Sequence, residues 1–239
     1  MPPNRFARFR WPWLLAVWRF CRRTTNPVLR AIHRLEAGRS DVLLQPFPDT
    51  WPDRHPALFA YVRDALKDVD HPQLLSFGCS TGEEPVTLAG YLPHARIDAI
   101  DINSHSLTTA RKMAARLGIG SIAFALADRP PEQTESYDAV FCLSVLRHGR
   151  LEAERPDNCS AILAFSRFDT LISQLDHCLK PGGLMIIWGS QFEFAAAAVA
   201  AGYEAQMVPD EPFHAGPIYG PDDRLKSLNG QQACVFRKL

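Results

Sequence analysis

Residues 74–85 have the sequence LLSFGCSTGEEP, and this stretch decides the fold of the chain. Apolar and small residues lead into a turn that contains Gly78 and Gly82, and Pro85 follows where a helix would begin. Glycine lets the backbone turn sharply and approach a ligand closely. Proline suits the first turn of a helix because its missing N–H is not needed there. The stretch therefore predicts a strand, a tight turn and a helix.

Strand and helix patterns alternate outward from this turn. The predicted strands cover 74–78, 96–102, 121–127, 137–146 and 184–188, with short strands near 203–208 and 233–238. The predicted helices cover 57–67, 86–92, 106–117 and 161–179, and the last one ends at Lys180-Pro181-Gly182-Gly183. Repeated strand–helix units form parallel sheets with right-handed crossovers. We expect an α/β fold, a Rossmann-like seven-stranded, mostly parallel sheet with helices on both faces.

Charge divides the 239-residue chain into two unequal parts. Residues 1–40 contain nine Arg and only one acid, Glu36, whereas acids outnumber bases in the remainder and the total net charge is zero. A proline-rich stretch at 45–56 separates the two parts. The sequence predicts a basic N-terminal arm at 1–45 and a Rossmann-like domain at 46–239.

The beginning of the arm is apolar as well as basic. Its run Trp11–Trp18 is much shorter than the roughly 20 residues of a membrane span. Arg19, Arg22 and Arg23 stand where a signal peptide needs small residues. We expect a cytoplasmic protein, with two roles open for the arm. It can contact an anionic membrane surface as a peripheral segment, or it can pack on the domain as a helix.

The cysteines indicate a reducing compartment. The six residues form neither a CxxC pair nor a Cys/His cluster with metal-ligand spacing, so we expect free thiols and no metal site. They are Cys21, Cys79, Cys142, Cys159, Cys178 and Cys234.

Two acidic residues, Glu83 and Glu84, follow the glycine turn and bear on the ligand. Ligands of such sheets bind outside the carboxyl ends of the strands, beside the first strand. A pyrophosphate at this helix N-terminus would meet two like charges, whereas S-adenosylmethionine brings a sulfonium and an ammonium cation. The pair therefore favours S-adenosylmethionine over a nicotinamide or flavin. Complementing the helix dipole is an alternative role for either carboxylate alone.

Two further carboxylates end neighbouring predicted strands. Asp101 closes the second strand, where a carboxylate can accept hydrogen bonds from both hydroxyls of a ribose. Asp128 closes the third, where it can accept a hydrogen bond from an adenine amino group. Each has a competing role. Asp101 could cap the next helix, a role for which Asn103 and Ser104 also compete, and Asp128 could be a loop acid before Pro130.

The run 78–85 resembles motif I of the chemotaxis-receptor glutamate methyltransferases, a branch of the class I S-adenosylmethionine-dependent methyltransferases. Residues 99–102 with Ala110-Arg111, the strand at 137–142 and the turn at 180–183 extend the likeness over about residues 74–189. The resemblance implies the class I methyltransferase fold, S-adenosylmethionine as the cofactor and transfer of its methyl group. The expected cofactor-binding residues are Gly78, Cys79, Ser80, Thr81, Gly82, Glu83, Glu84, Asp101, Ile102, Asp128, Arg129, Cys142 and Leu143.

The sequence also departs from that branch. Leu143-Ser144 stands where the branch continues with Arg-Asn, and Ser76 stands where class I members usually carry an acid. Thr50 and Arg54 match only loosely an upstream Thr/Arg pair that contacts the cofactor carboxylate. The resemblance thus implies the cofactor more strongly than the acceptor, for which it weakly favours a carboxylate on a small molecule or protein.

Candidate residues for the acceptor side follow the fourth strand and lie in the segment 211–224. They are Arg147, His148, His214, Tyr219 and Arg224. A carboxylate acceptor needs no general base, whereas an amine, phenol or hydroxyl often does. A surface or capping role is equally open to each of them, so the catalytic residue is left unassigned.

Three other functions are compatible with an α/β fold of this kind. A nucleotide-dependent oxidoreductase is disfavoured by the Glu pair and by the absence of GxGxxG. A cofactor-binding regulator or degenerate enzyme, tethered by the basic arm, would suit the missing Arg-Asn pair. Nucleic-acid methylation is disfavoured because no Asn/Asp-Pro-Pro-aromatic motif follows the fourth strand, although the basic segment Arg5–Arg39 could contact phosphates.

Overall fold

The computed structural model describes residues 26–39, 42–230 and 233–239. Its strands are β1 (Gln73–Phe77), β2 (Arg96–Asp101), β3 (Ile122–Leu126), β4 (Tyr137–Leu143), β5 (Leu179–Trp188), β6 (Tyr203–Gln206), β7 (Ile218–Tyr219), β8 (Leu225–Ser227) and β9 (Val235–Lys238). Its helices are α1 (Pro27–Gly38), α2 (Pro56–Ala65), α3 (Glu83–Tyr91), α4 (Ser104–Arg116), α5 (Gly149–Glu154) and α6 (Phe165–Cys178). Two short 3-10 turns, at 194–196 and 200–202, precede β6.

Seven strands form the main sheet, in the order β3-β2-β1-β4-β5-β9-β6. Strands β1 to β5 pair in parallel, and β9 runs antiparallel between β5 and β6. Strands β7 and β8 form a separate hairpin. The predicted α/β fold with a seven-stranded, mostly parallel sheet is confirmed.

Helices cover both faces of the sheet because its central strands are apolar on both sides. In β4, Val140 and Cys142 join the core cluster that includes α6. Ala139 and Phe141 join a second cluster, which includes α2 and α3. Side chains alternate between the two faces of a strand, so a continuous apolar run such as β4 must be buried on both.

Element ends differ from the sequence prediction where a local turn intervenes. The strand predicted to reach 146 ends at Leu143, because Ser144 has a φ of 60° that leaves the extended region. The helix predicted from 161 begins at Phe165, whose N–H donates to Asp223 Oδ1 at 2.6 Å. Helix α5 and the β7–β8 hairpin were not predicted, since both are too short to give a periodic pattern.

Helix α1 leads into residues 42–51, which we call the flap. Asn26 caps α1, since its Oδ1 accepts from the Val28 N–H at 2.9 Å. The Pro48 carbonyl in the flap accepts from Ser80 Oγ at 3.1 Å, which ties the flap to the glycine turn. The boundary predicted at residue 45 falls within the flap, and it stays a prediction. The apolar and basic start of the arm lies outside the described residues.

Within the described ranges, no helix has both the length and the apolar character needed to cross a bilayer.

Candidate functional site

A cavity of about 380 Å³ opens at the carboxyl edge of the sheet. Its walls come from the turn after β1, the ends of β2 and β4, the residues after β3, the flap, and Arg54 with His55. This is the edge at which parallel α/β sheets bind their ligands. Its volume is within the range of small-molecule sites.

The turn after β1 requires glycine at two positions. Gly78 has a φ of 78°, and an added Cβ would overlap Val145 Cγ2. Gly82 has a φ of 95°, and an added Cβ would lie 2.7 Å from the Cβ of Ala110 in α4. Both positions thus combine a left-handed backbone with a close approach. Gly78 faces the cavity, whereas Gly82 serves the packing of α3 against α4.

Asp101 lies in the cavity wall at the end of β2. Its two carboxylate oxygens accept backbone N–H groups, from Ser80 at 2.8 Å and from Asn103 at 2.7 Å. Burial raises the pKa of Asp101, and these hydrogen bonds oppose that rise. The competing role as a helix cap falls to Asn103, whose Oδ1 accepts from the His105 N–H at 3.0 Å. Asp101 is therefore left with lone pairs that can face a ligand.

The two glutamates of the turn have different surroundings. Glu84 lines the cavity, and its Oε1 accepts from Ser76 Oγ at 2.7 Å. Desolvation raises the pKa of Glu84 to about 7, against the opposing effects of Ser76 and Arg54. Glu83 instead accepts from Thr81 Oγ1 at 2.6 Å, outside the cavity lining. Ser76 occupies the position at which class I members usually carry an acid. Its hydrogen bond to Glu84 thus brings another carboxylate close to that position.

Arg54 brings a positive charge to the same cavity. Its Nη2 donates to Ser144 Oγ at 3.3 Å, and its guanidinium lies 4.4 Å from the ring centre of Trp51 and 5.1 Å from that of Trp188. Burial lowers the pKa of Arg54, and the nearby positive charge of Arg147 lowers it further. Its Nε is buried and has no hydrogen-bond partner among the described residues. A guanidinium in this position can bind a carboxylate.

Asp128 lines the cavity on the far side of Asp101, after β3. Its carboxylate forms an ion pair with Arg39 from the end of α1. Arg129 Nε lies 3.6 Å from the other oxygen of Asp128, with a side chain that is largely exposed. Asp128 lies on the side of the site where adenine is expected. Because Arg39 pairs with Asp128, the chain after α1 partly covers that side.

The cavity brings together most of the expected cofactor-binding residues. Those in its lining are Gly78, Cys79, Ser80, Glu84, Asp101, Ile102, Asp128 and Leu143. Those outside its lining are Thr81, Gly82, Glu83, Arg129 and Cys142. Cys142 points away because it belongs to the α6 side of the core, on the opposite face of β4 from Phe141.

The acceptor candidates are mostly outside the cavity. Arg147 lines it and pairs with Glu152 at 3.3 Å. His148 caps α5, since its Nδ1 accepts from the Arg150 N–H at 3.2 Å, and burial lowers the pKa of His148. His214 also pairs with Glu152, at 3.2 Å, and is not in the lining.

The two remaining candidates lie on the β7–β8 hairpin. Tyr219 is 1% exposed, and its hydroxyl has no hydrogen-bond partner among the described residues. Burial raises the pKa of Tyr219 to about 12, so the hydroxyl keeps its proton at neutral pH. Arg224 is exposed, and neither residue is in the cavity lining.

Sequence reasoning missed the flap and His55 as parts of the site. Residues 45–56 contain four prolines, and such stretches usually indicate a connection between domains. Residues 42–51 instead line the cavity throughout, and His55 lies beside them. The loose likeness at Thr50 and Arg54 was the one signal that pointed to this part of the chain.

Comparisons with known proteins find similarity to methyltransferases. Residues 75–185 match a family described as a methyltransferase domain. An uncharacterised protein of Synechococcus sp. is 28% identical over 145 residues, which is 58% of this chain and 30% of that protein. A ubiquinone biosynthesis O-methyltransferase of Xanthomonas oryzae pv. oryzae is 29% identical over 167 residues, 67% of this chain and 61% of that enzyme. This chain thus spans less than two thirds of either relative.

A solved structure of an S-adenosylmethionine-dependent methyltransferase from Geobacter sulfurreducens, in complex with S-adenosyl-L-homocysteine, is 17% identical. It aligns with a TM-score of 0.41 over 66% of this chain and 54% of that one.

The fold, the cavity and the partial family match agree with one another. The glycine turn after β1 and the acid at the end of β2 lie within the matched residues. Over residues 75–185 the chain is thus similar to methyltransferase domains, and these residues lie within a Rossmann-like α/β fold.

Proposed function

We propose that this protein transfers the methyl group of S-adenosylmethionine to a small-molecule or protein acceptor. The observation that carries the proposal is that Asp101, Glu84 and Arg54 line the same cavity. Asp101 suits the ribose hydroxyls, Glu84 the ammonium group and Arg54 the carboxylate of the cofactor. A pyrophosphate cofactor at the start of α3 would meet Glu84 as a like charge.

The chain's own residues would mainly hold and align the reactants. The bound cofactor supplies a methyl group that is already activated, so alignment accounts for most of the rate. Asp101 is fixed by two backbone N–H groups and Glu84 by Ser76, so both carboxylates are positioned before a ligand arrives. The flap would exclude water from the methyl group.

The identity of the acceptor atom is a separate proposal. The resemblance to the chemotaxis-receptor branch favours a carboxylate, but Leu143-Ser144 replaces the polar pair of that branch. The Xanthomonas relative is named an O-methyltransferase, which supports an oxygen acceptor. We propose that the acceptor approaches between the ends of β4 and β5, where Ser144 and Arg147 line the cavity.

A second candidate is a cofactor-binding regulator without turnover, tethered by the basic arm. The same Leu143-Ser144 departure and the nine Arg of residues 1–40 favour it. Turnover separates the two candidates, because both would bind the cofactor. A panel of carboxylate, phenol, amine and thiol acceptors, assayed with radioactive S-adenosylmethionine, should give at least one methylated product if the first candidate is right.

The cofactor is tested by calorimetry. S-Adenosylmethionine and S-adenosylhomocysteine should both bind, and NAD and NADP should show no comparable binding. Tight NAD binding would rule out the methyltransferase function.

A further inference from the structure

A buried histidine–carboxylate pair lies beside the cavity of about 380 Å³, the cofactor cavity, in which we propose that S-adenosylmethionine binds. His55 precedes α2, and Glu211 lies in the loop after β6. Their Nδ1 and Oε1 atoms are 2.6 Å apart, and the two side chains are 3% and 2% exposed. Glu211 Oε2 also accepts from the Leu58 N–H in the first turn of α2, at 3.2 Å. One carboxylate thus fixes both the imidazole and the start of the helix.

Within the part of the chain that the structure describes, the other ring nitrogen of His55 has no hydrogen-bond partner. Its Nε2 is buried and makes no hydrogen bond to any of the described residues. Because the Glu211 carboxylate can only accept at Nδ1, the neutral ring carries its proton there and a lone pair on Nε2. Trp188, with a ring centre 4.4 Å away, and Phe59, at 6.2 Å, hold the ring in place. Buried polar atoms without a hydrogen-bond partner are uncommon, and a catalytic role is one of the explanations for them.

The pair lies between two cavities. His55 lines the cofactor cavity, while Glu211 lines a second cavity of about 260 Å³ with Trp188, Met207 and Phe213. Met207 and Phe213 are large apolar side chains that are mostly exposed. The second cavity is also at the carboxyl edge, where β5 and β6 end.

Several charged or titratable groups surround the pair. Arg54 is its neighbour in the chain, and Glu84 lies across the cofactor cavity. The Cys234 thiol faces Glu211, and both burial and that carboxylate raise its pKa to about 12, so it stays neutral. His214 lies against Trp188, with ring centres 5.4 Å apart. The carboxylate of Glu211 is the charged group that lies within hydrogen-bond distance of the imidazole.

We propose that His55 is the general base for an acceptor with an O–H or N–H group, and that Glu211 is its positioning residue. This inference rests on the proposed methyl transfer. The acceptor oxygen or nitrogen forms the new bond to the methyl carbon as the carbon–sulfur bond breaks, and that electron pair stays on sulfur. The acceptor proton moves to His55 Nε2, and Glu211 stabilises the resulting imidazolium. A carboxylate acceptor would leave His55 without a proton to take.

Neither histidine singled out from the sequence offers the same arrangement. The Nδ1 of His148 is occupied by the cap of α5. His214 pairs with Glu152, and it lies outside the cofactor cavity. His214 nevertheless packs on the same Trp188 as His55, which makes it a matched control.

The first test observes His55 by NMR without turnover. Protein labelled with ¹⁵N-histidine is saturated with S-adenosylhomocysteine, and His55 is assigned by its absence in His55→Gln. We expect a proton on Nδ1 and none on Nε2, and a shift of Nε2 when catechol or benzylamine is added as an O–H or N–H probe. A proton on Nε2, or no response to either probe, would overturn the proposal.

The second test measures turnover with catechol, benzylamine and butyrate. We expect methylation of catechol or benzylamine in preference to butyrate. His55→Gln should lower kcat at least about a hundredfold with unchanged affinity for S-adenosylhomocysteine, whereas His214→Gln should lower it less than about tenfold. Preferential methylation of butyrate, or wild-type kcat in His55→Gln, would contradict the proposal. If none of the three is methylated, the NMR result decides.

Glu211→Gln covers the case in which His55→Gln does not fold. It keeps an oxygen for the Leu58 N–H but removes the charge that stabilises the imidazolium. The rising limb of kcat against pH should move to lower pH, which a purely structural role would not cause. If the rising limb of kcat against pH in Glu211→Gln stays at its wild-type position, Glu211 is not the positioning residue of His55. If the wild-type protein does not bind S-adenosylhomocysteine, the proposed function itself is contradicted.

Discussion

At the scale of single residues, Asp101 offers a direct test of where the ribose binds. We expect Asp101→Ala to weaken S-adenosylhomocysteine binding at least tenfold, about 1.4 kcal/mol, because a carboxylate that accepts from two hydroxyls is lost. Calorimetry measures the affinity. Asp98→Asn on the same strand is the control, since Asp98 contacts Tyr137 rather than the cavity. Normal binding by Asp101→Ala would contradict the placement of the ribose.

Glu84 should make cofactor binding depend on pH. Its pKa is raised to about 7, so the carboxyl group is largely neutral below that pH and charged above it. An ammonium group favours the charged form, and we expect the affinity for S-adenosylhomocysteine to rise as the pH passes upward through about 7. Glu84→Gln should bind more weakly and lose this dependence. Calorimetry in buffers across this range measures both, and an unchanged slope in Glu84→Gln would refute the assignment.

At the scale of elements, the glycine turn can be tested against a glycine that is free of constraint. Gly78→Ala places a Cβ against Val145 at a positive φ, so we expect it to lower the free energy of unfolding by about 1–3 kcal/mol. Gly90→Ala in α3 has open space around the new Cβ, and it should be neutral or stabilising by up to about 1 kcal/mol. Denaturant unfolding of both variants measures the difference. Equal stabilities would mean that the turn tolerates a side chain.

At the scale of elements, part of the structure could be predicted from the sequence and part could not. The strands of the sheet and the acid at the end of β2 follow from local periodicity and from known sheet topology, and both were predicted. The flap and His55 could not be, because their roles depend on contacts with residues far away in the chain. The Pro48–Ser80 hydrogen bond and the His55–Glu211 pair join residues 32 and 156 positions apart.

At the scale of the whole molecule, the basic arm is the part whose role is open. It contains nine Arg in residues 1–40, with Trp11, Trp13 and Trp18 near its start. We propose that it contacts anionic membrane surfaces. Deletion of residues 1–23 should leave the affinity for S-adenosylhomocysteine unchanged and weaken co-sedimentation with anionic vesicles. If the full-length protein does not co-sediment with such vesicles at low salt, the proposed membrane contact is excluded.

Trp188 gives the molecule a built-in optical reporter. Its indole contacts Arg54 and His55 at the cofactor cavity and also lines the second cavity. Tryptophan emission responds to nearby charge and to protonated imidazole, so filling either cavity should change the fluorescence of this one side chain. The difference between wild type and Trp188→Phe isolates its signal from the other tryptophans. Cofactor and acceptor arrival could then be followed separately in a stopped-flow instrument, and their order read from the two phases of emission.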